Sequence, residues 1–381
     1  MVKCGWPTCG IFAQPVQAGL LKPFDIRKKN SLKPDGGTRM SEVMKSPTST
    51  LLTVYRTGII ASGLIILGIC FVLTGEKSMH PVEGQTTQKT GTLKPAAIDG
   101  GRAYQYLKDI CAIGPRTAGS AANERQRLMV AEHFKKNGLT IVDQPFIGID
   151  PASRERKNMV NLIGSWKPER TRRILLSAHY DTRPFPDEET DPDKRRGRFI
   201  GANDGASGVA LLMEIANHLP KMETDWGVDL VLFDGEELVY GDKGDYFLGS
   251  RHFARQYLAE KKTRKWDYEA GLVLDMVADK DLMITQEQYS LEYAPKVVRE
   301  IWDAAEKLGE RRFRKRVGPA VLDDHIPLNQ AGIPTADIID FDYPAWHTVD
   351  DVPERCSGES MAAVGRVVTA WLELGPPPKR R

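Results

Sequence analysis

Cysteine is scarce, with five in 381 residues. Cys4 and Cys9 lie near the start and Cys70 in an apolar run, which leaves Cys111 and Cys356 for the rest of the chain. A disulfide-stapled scaffold is thereby excluded, and the alternatives are one bridge between Cys111 and Cys356 or two free thiols. Charge of a single sign is also lacking. The chain holds 53 basic and 51 acidic residues, a net +2 that argues against a dedicated nucleic-acid surface. No internal repeat is found. No H-E-x-x-H pair occurs either, so that local signature of a helix-borne zinc site is lacking.

What is present is uneven along the chain. Residues 1–56 form a basic leader with nine Lys/Arg against three Asp/Glu. Residues 57–75, "TGIIASGLIILGICFVLTG", carry no charge, and about 20 apolar residues suffice to cross a bilayer as a helix. The flanking charges and basic leader predict a membrane signal anchor, with the leader in the cytoplasm and the remainder outside it. No small-x-small cleavage site follows the run. Residues 76–98 are polar and rich in Thr, Gln and Gly, as a flexible linker is, and residues 99–375 form the expected catalytic domain.

Within that domain, apolar runs alternate with amphipathic segments. Strands are expected near Met159–Gly164, Arg173–His179, Val228–Phe233, Gly271–Val277 and Ile333–Ile339. Helices are expected over Gly101–Ile113, Ala122–Asn137, Ser207–His218, Ser250–Lys261, Tyr293–Leu308 and Gly358–Leu372, with Ser207 as a cap. This alternation predicts an α/β fold, a three-layer α/β/α sandwich around a mostly parallel sheet. Chemistry in such folds collects at the carboxyl ends of strands. There the sequence places His179 and Asp181, then Asp234, Glu236 and Glu237, then Asp275. Asp204 precedes a helix and His347 follows the last strand. His, Asp and Glu without cysteine form the ligand chemistry of catalytic zinc.

Six motifs occur in order: "SAHYDTRPF", "GANDGASGVALLMEIA", "LFDGEEL…FLGSRHFA", "LVLDMVA", "DDHIPLNQAGIPTADII" and "WHTVDD". Together they resemble the M28-like zinc peptidases, and within them the bacterial glutaminyl-peptide cyclotransferases. The resemblance implies that Asp204, Glu237 and His347 hold zinc and that Glu236 is the general base and acid. His179 and Asp275 match positions that bind a second zinc in aminopeptidases. Asp323 and Asp324 match the place of an acid hydrogen-bonded into the cyclase network, which Asp323 would steady together with Asp275, and His325 belongs to the same motif. Trp346 matches a pocket wall. Where vertebrate cyclases carry a tryptophan after Glu237 this chain has none, so Tyr240, Tyr246 and Phe247 are the aromatic candidates. Asp337 stands where those enzymes have a histidine.

Two activities follow from the resemblance. In a cyclase with one zinc, the amine of an N-terminal glutamine attacks its own side-chain amide. In an aminopeptidase with two, water attacks the first peptide bond. Either takes peptide or protein N-termini as substrate. The segments "RRFRKR" (311–316) and "DEETDPDKRRGR" (187–198) are expected to be solvated surface, the latter as a mobile loop, and "GPRTAGS" (114–120) a structural loop.

Overall fold

The computed structural model describes residues 95–241 and 243–374. The leader, the uncharged run at 57–75 and most of the linker lie outside these residues. Among the described residues no helix is long and apolar enough to cross a membrane.

The elements run α1 (Gly100–Ala112), α2 (Ala121–Lys136), β1 (Thr140–Ile149), β2 (Arg156–Trp166), β3 (Arg172–His179), α3 (Ser207–Ala216), β4 (Gly227–Phe233) and α4 (Leu248–Ala259). They continue with β5 (Asp267–Asp275), β6 (Ile284–Gln286), α5 (Gln288–Tyr293), α6 (Pro295–Lys307), β7 (Phe313–Val317), α7 (His325–Gln330), β8 (Thr335–Ile339) and α8 (Gly358–Leu374). Local signals explain several boundaries. Asp99 caps α1 by accepting from the Arg102 amide, and Ser120 caps α2 by accepting from that of Asn123. Ala103, Leu107, Ile110 and Cys111 recur on the buried face of α1. The helix expected over Tyr293–Leu308 starts at Pro295, which suits a first-turn position, and a separate short helix, α5, precedes it. Ser207 is not a cap. Ala206 occupies that position, and the Ser207 hydroxyl donates to the Asn203 carbonyl instead.

The main sheet has six strands in the order β1-β2-β4-β3-β5-β8. Strands β4, β3, β5 and β8 are parallel, whereas β1 and β2 pair antiparallel and β2 joins β4 antiparallel. The sheet is therefore mixed, with three of its five pairings parallel, and the unexpected strand β1 adds an antiparallel hairpin at one edge. Side chains alternate across it. Ile174, Leu176 and Ala178 of β3 belong to a core shared with α1, α2, α3, α6 and α8. Leu175 faces the other core, with Phe253 of α4 and Leu328 of α7. Three layers result, and each fully buried Leu or Phe contributes about 1.5–3 kcal/mol. Cys111 and Cys356 are both buried and free. The second of the two sequence alternatives holds.

Candidate active site

The parallel strands deliver their carboxyl ends to one edge, and the chain then turns so that neighbouring side chains separate. After β4, Gly235 adopts φ +73°, a conformation costly for any residue with a Cβ. The next two amides, of Glu236 and Glu237, fork onto one carboxylate, donating to Asp181 Oδ1 at 3.0 Å and Oδ2 at 3.1 Å. Asp181 follows β3, so it ties the ends of two adjacent strands together. Asp351 does the same for the Asp204 loop. It accepts from the amides of Asn203 (2.8 Å) and Asp204 (3.1 Å) and from the Tyr343 hydroxyl (2.9 Å). Gly205, at φ +94°, lets this loop pass close to Asp181, whose carbonyl would lie 2.6 Å from any Cβ there.

These turns bring Asp204, Glu237 and His347 together, with potential ligand atoms all within 4.8 Å of one another. His347 Nε2 lies 2.9 Å from Glu237 Oε1 and 3.3 Å from Asp204 Oδ2. The other expected pair joins the same carboxylate, since His179 Nε2 lies 3.1 Å from Asp204 Oδ1 and 3.3 Å from Asp275 Oδ1. Asp204 is thus shared by two adjoining groups. All of these side chains are buried except that of Asp275, which is partly so. Asp204 Oδ2, Glu237 Oε2, His179 Nδ1 and His347 Nδ1 lack an aligned hydrogen-bond partner. Buried polar atoms normally have partners, and two carboxylates with an imidazole are a catalytic zinc donor set. The residues fit that ion.

Electrostatics separates the two glutamates. Burial, and next the charge of Glu237, pushes Glu236 well above the usual carboxylate range. Glu236 is 8% exposed, and its Oε2 lies 4.0 Å from His179 Nδ1. Asp275 is raised to about 7, by burial that its contact with His179 only partly offsets. Burial alone would lower His347, but the charge of Glu237 and contacts with Asp187 and Asp204 override it and push it up to about 12. Asp204 is held below its ordinary range by the two histidines despite its burial. A cation bound here displaces those imidazole protons.

Behind this edge, Asp323, His325 and Asp337 form a third buried group. His325 Nε2 lies 3.3 Å from Glu287, whose carboxylate already accepts from the amides of Tyr289, Ser290 and Val321. Burial raises Asp323, and burial with the neighbouring charge of Asp323 raises Asp337 further. Asp324 is fixed separately by the Ser250 hydroxyl at 2.5 Å.

The aromatic residues are distributed unevenly. Trp346 stacks on the adjoining His347 ring at 3.8 Å and meets Phe341 at 5.2 Å. Tyr240 packs edge-on against Phe185, and its hydroxyl donates to Asp150 at 3.5 Å. Phe247 is buried against Tyr246 where α4 begins. Sequence reasoning placed Asp181 at this edge without its supporting role, and it missed three other groups that hold the ligands, Asp351, Arg183 and Asp187. Arg183 donates to Glu237 Oε1 at 2.9 Å, to both oxygens of Asp187 at 2.6 and 2.8 Å, and to the Tyr246 hydroxyl at 3.2 Å. Arg116, within the expected structural loop, is fully buried and donates to the carbonyls of Gly114, Ile200 and Gly201.

The model of peptidase family M28 matches residues 161–372. The aminopeptidase YwaD of Bacillus subtilis (strain 168) is 28% identical over 295 residues, which cover 73% of this chain and 58% of that protein. Among solved structures, the Fimbriiglobus ruber glutaminyl cyclase shares 39% identity at a TM-score of 0.72, over 74% of this chain and 97% of that one. A Zn-dependent exopeptidase from Parabacteroides distasonis ATCC 8503 shares 32% identity at a TM-score of 0.66, over 71% and 97% respectively.

Proposed function

Because this chain belongs to peptidase family M28, a family of enzymes, we propose that it is a zinc-dependent glutaminyl-peptide cyclotransferase. It closes an N-terminal glutamine to pyroglutamate and releases ammonia. Asp204, Glu237 and His347 would hold the zinc, which supplies Lewis-acid polarisation of the glutamine side-chain amide. The substrate's own α-amine attacks that amide carbon, so the enzyme's main task is to orient one flexible residue. The C–N bond to the departing nitrogen breaks as the ring bond forms. Glu236 accepts the proton lost by the attacking amine and returns it to the nitrogen that leaves as ammonia. Its raised proton affinity suits both halves of that transfer. Asp275, in contact with His179, and Asp323 would hold the surrounding protons in place. Trp346, with Tyr240 and Phe247 further out, excludes water from the reacting residue.

The observation that carries this reading is the Trp346 ring stacked on the ligand histidine at 3.8 Å. With Phe341 at 5.2 Å it supplies apolar ring surface beside that histidine, which suits a single side chain folding on itself. The resemblance to a cyclase across nearly that enzyme's whole length supports it. One observation favours a second reading. His179, Asp204 and Asp275 form an adjoining group of metal-binding geometry, as a two-zinc aminopeptidase would require. Metal content of the purified chain separates the two, near one zinc for a cyclase and near two for the aminopeptidase. Attachment to a membrane through residues 57–75, with this domain outside the cytoplasm, is part of the proposal and rests on sequence. Protease added outside intact cells should remove the domain, and a resistant domain would contradict that placement.

A further inference from the structure

His347 stands in a demanding position. Its φ is +54°, a left-handed conformation that residues with side chains avoid unless their surroundings enforce it. The enforcement comes from one short segment about 160 residues earlier in the chain. Asp187 Oδ1 lies 3.4 Å from His347 Nδ1, the ring nitrogen facing away from Asp204 and Glu237; this is an ion-pair contact, and no aligned hydrogen bond from any group reaches that nitrogen. The Glu188 amide donates to the His347 carbonyl at 3.2 Å. The Glu189 carboxylate accepts from the Val349 amide at 3.2 Å. The segment is held in turn by Arg183, whose guanidinium grips both Asp187 oxygens and also donates to Glu237. Arg183 is 4% exposed and the Asp187 side chain 27%, so the guanidinium side of this fork is shielded from water and the carboxylate only partly so. The start of the stretch expected to be a mobile loop is thus anchored on the candidate metal centre.

We infer that Asp187, clamped by Arg183, is a positioning residue of the metal centre that fixes the ring and tautomer of His347. A carboxylate on the outer nitrogen keeps the proton on Nδ1 and leaves Nε2 free as a ligand. Arg183 acts on two ligands at once, on His347 through Asp187 and on Glu237 directly. It occupies Oε1 of that carboxylate, leaving Oε2 as the oxygen without a partner. This inference rests on the reading that Asp204, Glu237 and His347 hold zinc, but not on which reaction follows.

The test is zinc affinity of the full chain, measured by competition with a chromophoric chelator, together with the melting temperature of the metal-free protein. Asp187→Asn should weaken zinc binding by about 10- to 100-fold. Asp191→Asn removes the same charge from an exposed position in the same loop and should stay within about twofold on the expectation that solvent screens it. Arg183→Met provides the sharper contrast. Charge alone would make loss of a cation tighten zinc and loss of an anion loosen it. Positioning requires both substitutions to loosen it, and the double variant to be no worse than Arg183→Met. Should Arg183→Met melt before it can be titrated, Arg183→Lys keeps the charge without the fork and should still bind zinc several-fold more weakly. Unchanged affinity in Asp187→Asn, tighter binding in the Arg183 variant, or an equal loss in Asp191→Asn would overturn the inference. A wild-type chain that binds no zinc would overturn the metal reading along with it.

Discussion

Strands β3 and β4 carry a buried charged cluster at each end, and the two clusters are built on opposite principles. At the amino ends, Arg173 and Asp229 are buried and closed. Asp229 accepts from Arg173 through two nitrogens, from the Ser165 hydroxyl at 2.5 Å and from the Tyr268 hydroxyl at 2.6 Å. At the carboxyl ends lie His179, Glu236 and Glu237, joined by Asp204 and His347. Four atoms of this group lack aligned partners, and three carboxylates, at Glu236, Asp275 and Asp323, are pushed upward by burial. A closed cluster satisfies every donor and acceptor internally and has nothing left to offer a ligand. An open one carries unmet bonding capacity, held against its cost by outside supports such as Asp181, Asp351 and Arg183. The first is structure, and the second is a site.

Substitutions should divide along the same line. The largest effect is expected at the open end. Glu236→Gln should lower turnover by about 10²–10⁴-fold. Zinc content should be retained and the melting temperature should not fall, because a buried carboxylate with raised proton affinity is replaced by a neutral group. Metal analysis beside a steady-state assay checks this. At the closed end the pattern reverses. Asp229→Ala leaves Arg173 buried and unpaired and should cost about 3–5 kcal/mol of stability, read by denaturant unfolding. Zinc affinity should be unchanged, since the substitution lies at the far ends of the strands. An activity loss in Asp229→Ala that exceeds its loss of folded protein would break the comparison.

Filling the open end should close it. Saturating zinc at about 100 times its dissociation constant should stabilise the chain by about 2.7 kcal/mol, and a chelator should reverse the rise in melting temperature. The smallest effect concerns Glu214, a second closed cluster, where Arg102, His218 and the Asp99 amide converge. Burial would raise this carboxyl, but His218 and Arg102 pull it down to about 2 from an ordinary 4.5. A depressed carboxylate stabilises the fold fully above its unfolded value and loses that contribution as pH falls through its folded value. The stability difference between wild type and Glu214→Gln should therefore be about 1–3 kcal/mol at neutral pH, toward the lower figure because Arg102 is 41% exposed. It should vanish as pH falls from about 4.5 toward about 2.

Much of the open end was legible in the sequence, because its members sit at strand ends where apolar runs stop in His, Asp or Glu. Glu236, Glu237, His179 and Asp275 each follow such a run, and the structure collects them as expected. Their supports were not legible. Asp181 lies 55 residues from the amide of Glu236, and Asp351 lies 148 from that of Asn203, so no local spacing links them. Arg183 was read only as part of the motif "SAHYDTRPF" and Asp187 only as the start of a charged stretch, although an Arg four residues before an Asp, beside a predicted strand end, was a usable signal. Strand β1 was missed because "TIVDQPFIGI" contains Pro145 and Gly148 and lies at the sheet edge, half exposed on both faces, so its alternation is weak. Helix α7 was missed because "HIPLNQ" is six residues long with an internal proline. The break between α5 and α6 was marked by Pro295, a signal that the apolar period outweighed.

The central claim is that this unsatisfied end uses one metal and the substrate's own amine. The most direct measurement is product analysis by mass spectrometry after zinc-loaded protein meets a peptide with an N-terminal glutamine. One ammonia should be released per peptide consumed, with every residue of the peptide still attached. Free glutamine and a peptide shortened by one residue would contradict it.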